Sequence, residues 1–76
     1  MSLLDLPIGQ EATIERLDLD DTDRAMLCAM GLSEGEVISV LRAAIFGGPL
    51  HVHVAGTGFA IAREVARSVH VRLEGV

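Results

Sequence analysis

The sequence predicts a mainly β fold: a small, strongly bent five-stranded barrel with one α-helix inserted between strands 1 and 2. Three observations predict it. Residues 50–55 (LHVHVA) and 69–74 (VHVRLE) alternate apolar and polar side chains, the mark of strands that bury one face. Residues 36–45 (EVISVLRAAI) are rich in β-branched types and long enough to bend around a small core. A single helical run, residues 22–30, is followed at once by Gly31. An open sheet of this size would leave two bare edges, and closure removes most of that liability. Five strands enclose room for side chains only, so no internal cavity is expected.

The elements follow in order. Residues 3–10 form a lead-in, with Pro7 and Gly9 shaping a turn. Met1, Ser2 and Leu3 carry no structural expectation. Residues 11–17 (EATIERL) read as a half-buried strand through Ala12 and Ile14, with Leu17 out of phase. The acidic stretch 18–23 caps the coming helix and suits its positive end, a cap contributing about 0.5–2 kcal/mol. A calcium loop of EF-hand type would need a glycine sixth and an acidic residue twelfth, which this stretch lacks.

The helix is apolar from Ala25 to Met30 without a break, more than one stripe can bury. Leu27, Met30 and Leu32 are expected to face the sheet. Met26 and Ala29 then lie on a flank that either packs under the lead-in or serves as a docking patch. Gly31 stands where a helix needs a left-handed closing residue, and Gly35 where a tight turn needs one.

Phe46-Gly47-Gly48-Pro49 breaks the second strand and starts a hairpin. Leu50, Val52 and Val54 share one face of strand 3, and His51 and His53 the other. Gly56-Thr57-Gly58 turns the chain into strand 4, residues 59–62. Residues 63–68 (REVARS) give about one helical turn, and the last strand points Val69, Val71 and Leu73 inward, with His70, Arg72 and Glu74 outward.

At 76 residues the chain makes one domain, residues 1–76, near the lower limit for folding without a staple. A net charge of −5 with no Trp or Tyr argues against a nucleic-acid binder, which needs cations for phosphates and aromatics for bases. It argues more weakly against an anionic membrane surface. Cys28 is the single cysteine, which rules out a disulfide or cysteine-based zinc motif within one chain and fits a reducing cytoplasm. No apolar run approaches the roughly 20 residues of a membrane span, and the start lacks a signal-peptide pattern.

The pattern resembles the FeoA family, the small cytosolic partners of the bacterial ferrous-iron transporter FeoB. The residues that carry it are Leu6-Pro7-Ile8-Gly9-Gln10, Arg24, Leu27, Met30-Gly31-Leu32, Gly35, Val37, Val40, Gly48-Pro49-Leu50, Ala62-Arg63-Glu64-Val65-Ala66 and Val69-His70-Val71. The resemblance implies a Src-homology-3-like barrel, and similar domains close the C-terminus of some iron-dependent repressors. It implies a non-enzymatic accessory protein that docks on a FeoB-like transporter and requires no cofactor. It transfers no ligand or catalytic residues.

Candidate sites therefore come from the residues themselves. Cys28 lies in an apolar helix run, where a thiol is inert packing rather than a nucleophile. The two glycine-rich turns lack the Lys and Ser/Thr of a phosphate loop. Docking falls to Phe46, Gly47, Gly48 and Pro49, with Met26 and Ala29. Phe46 is either an exposed anchor or a plug folded over the barrel end. His51 and His53 are solvated surface histidines or two ligands of a weakly held zinc or iron, which nearby carboxylates or a second copy would complete. The rival function is accordingly a divalent-metal sensor or a metal-bridged oligomer such as a homodimer.

Overall fold

A computed structural model describes residues 1–73; the expected outward orientation of Glu74 lies outside the described residues. The strands are β1 (Glu11–Leu17), β2 (Val37–Ala43), β3 (Leu50–Val54), β4 (Thr57–Ile61) and β5 (Val69–Leu73). Helix α1 (Asp21–Ala29) joins β1 to β2, and the short α2 (Arg63–Arg67) joins β4 to β5. All neighbours are antiparallel, in the order β4-β3-β2-β1-β5.

The sheet is strongly bent but not closed by hydrogen bonds, since among the described residues β4 and β5 do not pair. The expected closure is replaced by α2, which crosses between those strands and packs on β5 and on a 3-10 turn at Leu3–Asp5. That turn corrects the empty expectation for the amino end. Leu3 has no solvent exposure and Leu6 is buried with it, while Ser2 caps the turn by accepting from the Leu4 N–H at 3.2 Å. Sixteen buried apolar residues from every strand, α1, α2 and the lead-in form one cluster.

Leu17 is out of phase for a physical reason. The β1–β5 register shifts between Ile14 and Arg16, a bulge that adds one residue and returns Leu17 to the buried face with Ala12 and Ile14. A second shift between Val40 and Arg42 leaves Leu41, already outward by alternation, without a cross-strand partner.

Helix α1 begins as its acidic lead predicts, with the Asp20 carboxylate accepting from the Asp23 N–H at 2.8 Å. It ends at Gly31, whose φ is +102°. The Leu32 N–H donates to the Leu27 carbonyl at 2.9 Å and the Gly31 N–H to Cys28 at 3.0 Å, the paired bonds of a Schellman closure. Leu27 and Leu32, the residues this closure brings together, are both buried. Met30, expected to face the sheet, is the capping residue and is exposed, because the helix stops before its turn could bring it round. Cys28 is exposed rather than packed, since a nine-residue helix on a small sheet covers only the Leu27 stripe.

Candidate functional site

The β2–β3 hairpin puts Phe46 at its tip. Ala44 and Pro49 close the loop, the Ala44 N–H donating to the Pro49 carbonyl at 3.1 Å. Within it, Phe46 and Gly47 have φ of +60° and +76°, the positive pair that marks a type I′ turn. A left-handed backbone is natural for Gly47 and costs a side-chain-bearing residue roughly 1–2 kcal/mol. Phe46 nonetheless holds it, and its side chain is 98% exposed. The plug alternative is therefore excluded: nothing of the ring reaches the core. Ile45 beside it is also widely exposed.

Arg63 holds this tip in place. Its Nε donates to the Gly48 carbonyl at 3.1 Å and a terminal nitrogen donates to the Ala44 carbonyl at 3.2 Å. Both ends of the loop are thereby tied to the first turn of α2. Gly48 is packed so tightly that a Cβ there would lie 2.6 Å from that of Ala44. Sequence reasoning placed Arg63 in a one-turn helix and in a family motif, with no contact of its own. Its signal was a cation in the first turn of a helix, the end that disfavours one, which asks what else the charge is for.

The other candidates separate from the tip. Met26 and Ala29 are exposed on α1, so the lead-in does not cover them. They project from the connection at the far end of β1, away from the β2–β3 turn. His51 and His53 do share the outer face of β3, half-buried and exposed respectively. Their cross-strand neighbours are Arg42 and Ala60 for His51, and Ser39 and Gly58 for His53. None is a carboxylate, and Arg42 brings a positive charge. Among the described residues no group of three or more His, Cys, Asp or Glu is placed to hold a metal ion.

Elsewhere the charged groups are structural. Asp18 accepts from Arg16 at 2.9 Å and lies 2.9 Å from the His70 Nε2. The Arg16 hydrogen bond, with the nearby charges, holds the Asp18 carboxyl below its usual pKa against a smaller opposing effect of desolvation. Arg24 ties the β1–α1 connection by donating to the carbonyls of Leu17 and Leu19. A shallow groove of about 400 Å³ between Met1 and Leu73 contains Glu15 and Arg72, 3.5 Å apart and paired with each other.

The order of strands, the Gly31 closure and the hairpin now stand beside a family profile: the FeoA domain matches residues 1–73. The chain belongs to the FeoA family. The solution structure of the FeoA protein from Chlorobium tepidum is 28% identical, with a TM-score of 0.92, over 99% of this chain and 71% of that one. Stenotrophomonas maltophilia FeoA, described as a procaryotic SH3 domain protein complexed with zinc, is 29% identical over 93% of this chain and 88% of that one, with a TM-score of 0.74. The FeoA fold of this chain is accordingly SH3-like, as the resemblance implied. A manganese-dependent transcriptional repressor, 19% identical, shares the fold alone; the TM-score is 0.84 over 96% of this chain and 41% of the repressor. No curated protein matches the sequence. No helix among the described residues of this FeoA chain is long and apolar enough to cross a membrane.

Proposed function

We propose that this FeoA protein is a non-enzymatic, cytoplasmic accessory of ferrous iron uptake. It docks on the cytosolic region of a FeoB-like transporter through the hairpin tip Phe46-Gly47-Gly48-Pro49. Family membership supports the iron-transport role, as do relatives whose names include iron(II) transport protein A from Clostridium thermocellum. One observation carries the docking reading: a fully presented Phe46 is held on a strained backbone by the Arg63 clamp. Strain retained at an exposed position has no folding purpose and suits recognition. An aromatic ring offered on a preorganised loop loses little freedom when it enters an apolar pocket.

The test is capture of the transporter's purified cytosolic region. Phe46→Ala should weaken Kd by roughly 30-fold, the equivalent of about 2 kcal/mol for one buried anchor. Unchanged affinity rejects the tip. Met26→Ser then reports whether the α1 flank, with Ala29, forms a second contact.

A divalent metal is the second reading, favoured by His51 and His53 sharing one face and by a zinc-bound relative. Two imidazoles leave a zinc or iron site incomplete, so ligands from another copy would be required. Zinc titration of wild type and His51→Ala/His53→Ala decides it: equal binding by both proteins ends this reading.

A further inference from the structure

The two edges of the sheet are managed differently. On β5, the Val71 N–H donates to the Met1 carbonyl at 2.7 Å and the Met1 ammonium donates to the Val71 carbonyl at 3.1 Å. Ser2 adds a bridge to His70, so the amino end lies along that edge as a short extra strand. On β4 no such cover exists among the described residues.

The β3–β4 turn determines which β4 groups are free. Ala55 and Gly56 have φ of +52° and +79°, so Val54 and Thr57 close a two-residue turn as a hydrogen-bonded pair. Bonded and non-bonded pairs alternate along antiparallel strands. Thr57, Phe59 and Ile61 thus turn their N–H and C=O groups toward β3, and Gly58 and Ala60 turn theirs outward. Both residues are exposed, and no backbone bond outside the ladder reaches either. Pairing with β3 runs without a bulge from Leu50 opposite Ile61 to Val54 opposite Thr57. The strand TGFAI has no charge and no proline. Among the described residues this edge has no charge, proline, bulge or covering segment to blunt it.

We propose that β4 pairs antiparallel with β4 of a second copy about a twofold axis through Phe59. The edge is complementary to itself. With Phe59 on the axis, the outward groups of Gly58 meet those of Ala60 of the partner subunit, and the reverse, giving four hydrogen bonds. Phe59 then faces Phe59 of the partner subunit as a non-bonded pair, the closer of the two spacings and one that favours aromatic contact. Each Phe59 is half-buried against its own core, so pairing extends that apolar face across the open side of the sheet. On the opposite face, Gly58 and Ala60 bring no bulk to the seam. A chain of net charge −5 meets its copy here without placing one carboxylate at the junction. This surface is separate from the Phe46 tip and does not depend on the docking reading.

A five-residue seam belongs to the small, weak class of interfaces, so the test is a concentration series from roughly 1 µM to 1 mM. Sedimentation equilibrium under reducing conditions, which keep the exposed Cys28 from cross-linking, should show reversible dimers. Ala60→Lys should shift the dimer constant at least tenfold, and Thr22→Lys, the same charge on α1, should not. Amide exchange at Gly58 and Ala60 should slow as concentration rises, with Phe59 protected throughout. A monomer over the whole range overturns the proposal, as does a dimer indifferent to Ala60→Lys or one that leaves both amides unprotected. A monomer whose transporter capture is lost in Ala60→Lys would assign the edge to a partner's strand and equally overturn self-pairing.

Discussion

The guanidinium of Arg63 donates to the Gly48 carbonyl at 3.1 Å across the mouth of the β2–β3 loop. A second bond to Ala44 makes the contact a two-point clamp, which only a planar fork can make. Arg63→Lys keeps the charge and loses the fork. It should destabilise the protein by about 1–2 kcal/mol, within the range for hydrogen bonds from a charged donor at a partly exposed site. Amide exchange localised to residues 44–49 checks that the loss lies in the loop, and transporter affinity should fall with it.

Gly48→Ala tests the packing beneath the clamp. The new Cβ would meet that of Ala44 at 2.6 Å, a short side chain with no rotamer to escape into. A loss of about 1–3 kcal/mol is expected, the usual cost of overpacking. Ala44→Gly/Gly48→Ala removes the obstructing atom and should recover most of it. Thermal melts of the two variants are the measurement; equal melting temperatures would show that the loop relaxes in another way.

Phe46→Gly should separate stability from docking. It frees a left-handed position from its side chain and gives up no buried area, because the ring is in solvent. Stability should rise by about 0.5–1 kcal/mol, the relief of strain less the added entropy of glycine in the unfolded chain. Transporter capture should be lost in the same protein. Denaturant unfolding beside a binding titration reads both.

Asp18 predicts an acid dependence. Its pKa is lowered in the folded state by the Arg16 hydrogen bond first, so the ionised form favours folding. That contribution is complete above the unfolded pKa and disappears as pH falls through the lower folded value. Asp18→Asn should therefore be less stable than wild type near pH 6, and the difference should shrink as pH falls below the ordinary carboxylate range. A difference that persists in strong acid would mean the carboxylate charge is not its source.

The strand and helix order was legible because alternation and glycine placement are local properties of the chain. Gly31 announced a left-handed closure, and the acidic lead announced a cap. Leu17 looked misplaced because a bulge has no mark of its own in the residues. Leu3 carried no expectation and Met30 was misplaced, each for a different reason. Whether a terminal leucine is covered depends on partners distant in sequence, here Ala66 and Val71 of the same core cluster. Whether a methionine at a helix end is exposed depends on the residue at which the helix stops. The tip was legible as a break in the strand pattern, but its pose and the Arg63 clamp were not. Both arise only when α2 is brought beneath the loop.

From Val37 to Ala62 the sequence has no Asp or Glu, although the whole chain carries 11. The register of β1 against β2 sends the aspartates that lead into α1 to the opposite end of the sheet from the Phe46 hairpin. The average charge therefore conceals a compass. A negatively charged lipid surface repels the aspartate pole most strongly, over a range set by the screening length, while the hairpin end carries Arg42 and Arg63 against Glu64. If docking runs through the Phe46 tip as proposed, that asymmetry would turn the hairpin toward the membrane before contact.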